Sequence, residues 1–281
     1  MSKFSLSMCV YKRDDPLFFD AALNSVIHQT LKPSEVVLSV DGPITKEIQT
    51  VIDKHQRLFM NAGINFKIIY LKKNVGHGEA RRVSFNNCSY PRIALMDADD
   101  ICVVDRFEKQ IVYLNNHPEV SAVGGYIEEF ISSSDPTDVR KTVGRRIVPE
   151  KDEDIKEYMK RRCPMNQVTV MFRKDDVAKV GGYIDWFCEE DYYLWIRLAL
   201  AGKKFGNIPD KLVNVRVGEE MYQRRGGYKY FFSEAKLQRY MLSKKMITFP
   251  RYVINISERL VLQVLMPNRI RGWVFRKFAR E

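Results

Sequence analysis

The sequence predicts an α/β fold with a mostly parallel central sheet and flanking helices. Short runs rich in β-branched and other apolar residues alternate with longer amphipathic segments through residues 1–100. That alternation is typical of βαβ units, whose crossovers are right-handed. The 281 residues are enough for one large core. We expect a sheet domain at residues 1–217, followed at residues 218–281 by a flexible Arg/Gly loop and a basic helical extension.

The first seven elements follow one another directly along the chain. In order they are the strand FSLSMCVY, the helix PLFFDAALNSVIHQT, the strand EVVLSVDG, the helix ITKEIQTVIDKHQRLFMNAG, the strand FKIIYLKKN, the helix GEARRVSFNNCS and the strand PRIALMDADD. Gly63 is expected to end the second helix. Ligands of such sheets bind beyond the carboxyl ends of the strands. The residues that follow these strands should therefore line one cleft: Val10, Tyr11, Asp41, Asn74 and the segment 97–100.

The second half continues with helices, strands and a polar loop. In order these are the helix RFEKQIVYLNNHP, the strand VSAVGGYIEEF, the loop SSSDPTD, the helix KDEDIKEYMKR, the strand NQVTVMFRK and the helix EEDYYLWIRLALAG. The last helix places Trp195 on its apolar face, where we expect it in the core. Its first turn holds Glu189, Glu190 and Asp191, a position at which the helix dipole favours acidic side chains.

Positive charge is concentrated near the carboxyl terminus. The chain has 46 Lys and Arg against 35 Asp and Glu, a net charge of +11, and from Tyr228 onward there are 12 basic and 3 acidic residues. Arginines interleaved with Val, Leu, Ile and Trp273 suit an amphipathic helix on an anionic membrane surface. The same apolar face could instead pack on the sheet domain or on a second subunit. Nucleic-acid binding is not expected, because no RNA- or DNA-binding motif accompanies the charge.

Cysteine usage and hydropathy indicate the compartment. The five cysteines are scattered, with no CxxC pair, which favours reduced thiols in the cytosol. No window reaches about 18 uninterrupted apolar residues, and the amino terminus does not resemble a signal peptide. We expect a cytoplasmic protein, with any membrane contact peripheral and on the inner face of the cytoplasmic membrane.

Three aspartates, Asp97, Asp99 and Asp100, follow an apolar strand in the stretch ALMDADD. One interpretation is a solvated turn in which an Asp caps the next helix. The other interpretation is a binding site for a divalent cation, Mg²⁺ or Mn²⁺, which would relieve the repulsion between these carboxylates. Such ions usually bind one or two carboxylates together with substrate phosphates. A nucleoside diphosphate would then be the natural partner.

Five segments around this cluster resemble bacterial members of glycosyltransferase family 2, the inverting GT-A enzymes. They are ALNSVIHQTLKPSEVVLSVDGP, NVGHGEARR, ALMDADD, GGYIDWFCEEDYYLWIRLALAG and IPDKLVNVRVGEEMYQRRGG. They occur in order from about Phe4 to Gly227, and the later ones resemble exopolysaccharide, capsule and O-antigen transferases. The resemblance implies a Rossmann-like GT-A fold. It also implies metal-dependent transfer of a hexosyl or N-acetylhexosaminyl group from a nucleoside-diphosphate sugar, above all a UDP-sugar. The acceptor would be a hydroxyl of a lipid-linked glycan in surface polysaccharide biosynthesis.

The resemblance also assigns roles to single residues. Asp41 corresponds to the residue that accepts hydrogen bonds from the uracil edge. Asp97 corresponds to the first DxD carboxylate, near ribose and metal, and Asp99 to the direct ligand of Mn²⁺ or Mg²⁺. Asp191 corresponds to the catalytic base, with Glu190 as the second candidate. The other expected contacts of the nucleotide sugar are Val10, Tyr11, Asn74, Arg81 and Ala98.

Three features depart from the family pattern. The usual strand end is P-T-Y-N, whereas Val10 offers no hydroxyl. Gly42 and Pro43 follow Asp41, where the family often has Asp or Ser. NVRVGEEMYQRRGG contains no His, so a metal would have to be held by Asp99, the diphosphate and water.

Two further predictions concern the rim of the cleft. The loop Gly218 to Gly227 could bring Arg224 and Arg225 over the diphosphate, or it could be an exposed basic loop. Trp186, just before the acidic cluster, is the candidate for contact with the acceptor.

Other functions fit the sequence less well. A nucleotidyltransferase should carry a Gly-rich basic loop after the first strand, where this chain has YKRDDPLFF. An inactive nucleotide-sugar-binding scaffold would not need Asp97, Asp99 and Asp191. A Rossmann dehydrogenase would need a GxGxxG after the first strand, and none is present.

Overall fold

The computed structural model describes residues 3–218 and 226–266. These residues form a nine-stranded mixed sheet with helices on both faces. The strands are β1 (Ser5–Val10), β2 (Glu35–Val40), β3 (Asn65–Tyr70), β4 (Arg92–Leu95), β5 (Ile101–Cys102), β6 (Val120–Phe130), β7 (Thr142–Arg146), β8 (Met171–Arg173) and β9 (Lys204–Arg216). The α-helices are α1 (Pro16–Ile27), α2 (Lys46–Asn61), α3 (His77–Asn87), α4 (Arg106–Asn116), α5 (Asp152–Met159), α6 (Lys174–Lys179), α7 (Glu190–Leu200), α8 (Tyr228–Ser243) and α9 (Phe249–Arg259).

The sheet order is β3-β2-β1-β4-β8-β6-β9-β5, with β7 paired to β6. The longest ladders are parallel, namely β1 with β2, β2 with β3, and β6 with β9. β8, β7 and β5 add antiparallel pairs. The mostly parallel α/β sheet predicted from the sequence is therefore confirmed. In this register Val10 pairs with Val40, and Val40 pairs with Tyr70, so the first three strands end at one level.

Both faces of the sheet are covered, which explains why the strands read as continuous apolar runs. Alternate residues of β2 point to opposite faces: Val36, Leu38 and Val40 join one core cluster, and Val37 joins another. The first cluster contains side chains from α1, α2 and α4, and the second contains side chains from α3, α5, α7 and α8. Trp195 is fully buried in the second cluster, as expected from its helical spacing.

Local sequence signals explain several helix boundaries. Asp15 caps α1 by accepting from the backbone N–H groups of Leu17 and Phe18, and Pro16 occupies the first turn. Thr45 caps α2 in the same way, and Gly63 follows that helix with φ +71°. Thr248 caps α9.

The described part of the basic extension packs on the sheet domain. Leu237 and Met241 of α8 are fully buried in the same cluster as Trp195. A single π-helical turn, Leu260–Leu265, follows α9, and Gly227 donates its N–H to the carbonyl of Gln263 at 2.9 Å. In residues 3–218 and 226–266, no helix has the length and apolarity needed to cross a bilayer.

Candidate active site

The carboxyl end of β2 is tied to the loop before α3. The buried Asp41 carboxylate accepts from Asn74 Nδ2 at 2.9 Å, from the Val75 N–H at 2.7 Å and from the Gly76 N–H at 3.1 Å. Gly42 has φ +84°, and a Cβ built there would lie 2.5 Å from the backbone nitrogen of Asn74. The close approach explains why glycine follows Asp41. A carboxylate has about four acceptor positions, so Asp41 keeps room for about one more donor from a ligand.

At the end of β1, Tyr11 is more accessible to a ligand than Val10 is. The Val10 side chain is buried, and its carbonyl accepts from the Asp41 N–H at 2.8 Å. Tyr11 is half-exposed, and its N–H donates to Asp14 Oδ2 at 2.9 Å. Contact between Val10 and a nucleobase stays a prediction. The Val10 side chain belongs to the core cluster that α1, α2 and α4 share with the sheet.

The DADD segment alternates between residues with exposed surface and buried residues. Asp97 and Asp99 have exposed surface, whereas Ala98 and Asp100 are buried. Asp100 Oδ1 accepts from the Arg216 N–H of β9 at 2.8 Å, and burial, together with Asp99 and Asp97, raises the pKa of Asp100. The interpretation in which an aspartate of this cluster caps the next helix is wrong, because α4 starts only at Arg106 and the residue at its N-cap is Asp105. Asp100 instead joins this segment to β9 through its hydrogen bond with the Arg216 N–H.

The side chain of Arg81 joins this segment to the acidic turn of α7. It is buried, and its Nη2 donates to Asp97 Oδ1 at 2.6 Å while its Nε donates to His77 Nε2 at 2.8 Å. His77 Nδ1 in turn lies 3.6 Å from Glu190 Oε1. The positive charge of Arg81 lowers the pKa of His77 to about 4, so the imidazole is neutral at pH 7.

Glu190 and Asp191 begin α7 beside the amino-terminal end of α3. A Cβ built on Gly78 would lie 3.6 Å from the Glu190 Cβ, so the two helix ends are in close contact. Burial and the neighbouring Asp191 raise the pKa of Glu190 to about 7. Burial also raises the pKa of Asp191, whose Oδ1 accepts from the Tyr192 N–H at 2.6 Å. A carboxylate with a pKa near neutrality is suited to general base catalysis.

Gln167 is a site residue that the sequence did not reveal. It lies in a 3₁₀ turn, Gln167–Thr169, just before β8. With its amide oxygen toward Arg81 it accepts from Nη1 at 2.5 Å, and its amide nitrogen donates to Asp191 Oδ2 at 3.2 Å. This orientation follows because a guanidinium can only donate, whereas an ionised carboxylate can only accept. No local pattern marks Gln167, since its partners are distant in the sequence.

Trp186 contacts helix α8 of the carboxyl-terminal extension. Its Nε1 donates to the carbonyl of Ser233 at 3.3 Å, its ring lies 4.5 Å from that of Tyr193, and Lys236 Nζ lies 4.5 Å from its ring centroid. These contacts cover part of the indole, and contact with an acceptor stays a prediction. Arg224 and Arg225 lie outside the described residues.

The carboxylates fit a hard divalent cation only as part of a shared site. Asp97 has a side chain that is 36% exposed despite its bond to Arg81, and Asp99 is exposed. Within the described ranges no group of three or more His, Cys, Asp or Glu residues is arranged to hold a metal. Mg²⁺ and Mn²⁺ sites with few carboxylates complete their coordination with phosphate oxygens and water. The donor set therefore fits such an ion when a diphosphate is bound with it.

Comparisons with known proteins identify the family. Residues 5–178 match Glycosyl transferase family 2, and residues 92–275 match Glycosyl transferase family group 2. The UDP-Gal:alpha-D-GlcNAc-diphosphoundecaprenol beta-1,3-galactosyltransferase of Escherichia coli is 34% identical over 99% of this chain and 97% of its own length. The amylovoran biosynthesis glycosyltransferase AmsE of Erwinia amylovora is 33% identical over 98% of both chains.

A solved structure supports the fold. The mannosyltransferase PcManGT of Pyrobaculum calidifontis, in complex with GDP-Man and Mn²⁺, aligns with a TM-score of 0.61 and 13% identity over 98% of this chain and 79% of its own. At that identity the likeness bears on the fold alone. The family match and the two full-length relatives decide the identity: the chain belongs to glycosyltransferase family 2.

Proposed function

We propose that the chain transfers a hexosyl or N-acetylhexosaminyl group from a UDP-sugar to a hydroxyl of a lipid-linked glycan during bacterial surface polysaccharide synthesis. The observation that carries the proposal is that buried Arg81 binds Asp97 and brings this end of β4 close to the two acids that begin α7. Asp97 and Asp99 lie at the end of β4, and Glu190 and Asp191 begin α7. The names of the full-length relatives, which include a UDP-Gal-dependent transferase acting on a diphosphoundecaprenol-linked sugar, support the donor and acceptor classes.

The donor would lie across the carboxyl ends of β1, β2 and β4. Asp41 would accept from the base, Tyr11 and Asn74 would flank the nucleoside, and Ala98 would pass beneath the ribose. Asp99 and Asp97 would hold Mn²⁺ or Mg²⁺, which would neutralise the charge that develops on the leaving diphosphate. Arg224 and Arg225 belong to the same proposal as further contacts of the diphosphate.

The acceptor would react from the side of α7. Asp191, or Glu190 in its place, would take the proton of the acceptor hydroxyl as its oxygen bonds to the anomeric carbon. The bond from that carbon to the diphosphate oxygen breaks in the same step, and the nucleoside diphosphate leaves. Attack from the face opposite the leaving group inverts the anomeric configuration and needs no covalent intermediate.

The extension would bring the enzyme to its acceptor. Several apolar side chains of α8, α9 and the π-turn are exposed, among them Phe232, Phe249 and Leu265. Arginines and lysines surround them in the sequence. We propose peripheral contact with an anionic membrane through this surface.

The experiment is a measurement of nucleoside diphosphate release from UDP-, GDP- and dTDP-sugars in the presence of a lipid-linked acceptor extract. It is run with Mn²⁺ or with EDTA, on wild type, Asp99→Ala and Asp191→Ala. Asp175→Ala, which removes an exposed carboxylate of α6, is the matched control.

We expect metal-dependent release from a UDP-sugar, full activity in the control and a loss of about 10²- to 10⁴-fold in Asp191→Ala. If EDTA leaves the release of nucleoside diphosphate unchanged, the proposed metal dependence is wrong. If no donor is turned over but a nucleotide still binds, the result would favour the alternative function, an inactive nucleotide-sugar-binding scaffold.

A further inference from the structure

Arg81 uses three different nitrogens for three different partners. Nη2 donates to Asp97, Nε donates to His77, and Nη1 donates to the amide oxygen of Gln167. The guanidinium is buried and planar, and its donors point in fixed directions. Its position therefore fixes three acceptors relative to one another.

His77 and Gln167 share a chemical property that suits them to this place. Each is a neutral side chain that accepts a hydrogen bond at one atom and donates at another. Because His77 Nε2 accepts from Arg81, the ring proton is on Nδ1, and this N–H faces Glu190 Oε1 at 3.6 Å. Because the Gln167 oxygen accepts from Arg81, its amide nitrogen faces Asp191 Oδ2 at 3.2 Å.

The arrangement connects the donor side of the cleft to both candidate bases. One branch runs from Asp97 through Arg81 and His77 to Glu190, and the other runs from Asp97 through Arg81 and Gln167 to Asp191. A carboxylate at either intermediate position would repel the base, and an ammonium could not accept from Arg81. Only a side chain that both accepts and donates fits each branch.

We propose that Gln167 and His77 are positioning residues: through Arg81 they fix Asp191 and Glu190 relative to the carboxylate Asp97 that faces the donor. The inference rests on the proposed function and deepens it by naming how the base is oriented. Neither residue contacts the transferred sugar in this proposal. Their removal should lower kcat and leave the KM for the donor nearly unchanged.

The electrostatic surroundings of the two bases define what a pH profile should report. The charged groups Asp191, Arg81 and Asp97 act on Glu190, and Arg81 and Arg146 act on Asp191. The buried side chains of Glu189 and Tyr183 also interact electrostatically with Asp191. The Cys163 thiol also lies 3.9 Å from Asp191 Oδ2. Loss of a donor to the ionised form of Asp191 makes that form less stable, so an acidic limb caused by Asp191 should move to higher pH.

The test uses Gln167→Met, which keeps the length of the side chain without its polar atoms, and Gln167→His, which keeps an acceptor and a donor. His77→Phe and His77→Gln form the corresponding pair. For each variant of the full chain, kcat, the donor KM, the pH profile of kcat/KM and the thermal unfolding midpoint are measured in the donor and acceptor assay. We expect kcat of Gln167→Met to fall about 10- to 100-fold, by analogy with the loss that follows removal of an outer-shell partner of a metal ligand. In Gln167→His we expect kcat to recover to within a few-fold of wild type.

The possible outcomes distinguish a failure of this inference from a failure of the proposed function. A wild type that turns over beside a Gln167→Met variant with the same kcat and pH profile overturns the inference alone. Equal losses in Gln167→Met and Gln167→His, with unchanged unfolding midpoints, would show that the acceptor and donor of Gln167 do not position Asp191, and would overturn the inference as well. A wild type without turnover on any donor overturns the proposed function and the inference together.

Discussion

Glu190 and Asp191 are adjacent in the sequence but have different surroundings. Glu190 faces the His77 ring on α3, whereas Asp191 faces Gln167 and the thiol of Cys163. Burial raises the pKa of both, and for Glu190 the value is about 7. The two carboxyls therefore need not ionise over the same range, and this difference offers a way to tell which one acts as the base.

A pH profile should reveal the role of Glu190. Its raised pKa means that the ionised form is lost as the pH falls through about 7. If ionised Glu190 is required, kcat/KM for the donor should fall about tenfold for each pH unit below that value. Glu190→Gln should then lose this limb together with most of its activity. The measurement is kcat/KM between about pH 5.5 and 8.5 at a saturating acceptor concentration. A limb that stays in place in an active Glu190→Gln would assign the titration to Asp191 or another group.

At the scale of elements, the junction of β2 with the loop before α3 depends on one glycine. Gly42 combines a positive φ with a backbone contact that leaves no room for a Cβ. Gly63, which follows α2, also has a positive φ, but a Cβ there would meet nothing within 4 Å. The two glycines separate the cost of the backbone conformation from the cost of the close approach.

Alanine at each position measures these two costs. Gly63→Ala should lower the free energy of unfolding by about 1 kcal/mol, the cost of a left-handed conformation for a residue with a side chain. Gly42→Ala should lower it by at least about 1–3 kcal/mol more, because the Cβ would displace Asn74. It should also weaken nucleotide binding, since Asn74 and Asp41 would move together. Urea unfolding of both variants checks the difference, and equal losses would show that the loop moves aside without cost.

The elements also show what the sequence could and could not predict. β1, β2 and β4 were predictable because their apolar runs are buried on both faces, and the edge strand β3 was predictable because FKIIY is rich in β-branched and aromatic residues. The ends of parallel strands meet at one edge. β7 was missed, because TVGRR at the sheet periphery has no alternating apolar pattern and depends on its pairing with β6. Asp41 and Asn74 lie together where the strand ends meet, as the sequence predicted, and Arg81 contacts Asp97. Gln167 was not foreseeable, because its role depends on Arg81 and Asp191, which tertiary packing brings to it.

On the scale of the whole molecule, the extension supports the acidic turn. Ser233 of α8 accepts from the Trp186 indole through its carbonyl, and its Oγ donates to the carbonyl of Phe187 at 2.6 Å. An ion pair of 3.2 Å between Arg259 and Glu234 joins α9 to α8. The segment that leads into Glu190 and Asp191 is thus packed against helices that also carry an exposed apolar surface. Contact of that surface with a membrane would set the orientation of the cleft relative to a lipid-linked acceptor.

Binding to vesicles tests this orientation. Phe249 and Leu265 are 66% and 67% exposed, and the sequence around and beyond them is rich in arginine and lysine. Burial of such side chains in the interface and attraction of about 1 kcal/mol per basic residue near an anionic surface should act together. We expect the protein to co-sediment with phosphatidylglycerol vesicles and only weakly with phosphatidylcholine vesicles. The double variant Phe249→Glu with Leu265→Glu should lower binding at least about tenfold, since it removes apolar area and adds repulsion.

The matched control is Met60→Glu, because Met60 is 70% exposed and lies on α2, which covers the opposite face of the sheet. This variant adds a negative charge without touching the proposed surface, so its vesicle binding should fall much less than that of the double variant. Both should retain wild-type release of nucleoside diphosphate with a short, soluble acceptor, because neither change reaches the cleft. Only the double variant should lose activity on a lipid-linked acceptor embedded in vesicles. Equal vesicle binding by both variants would place the membrane contact elsewhere, and the apolar side chains of α9 and the π-turn would then need another partner.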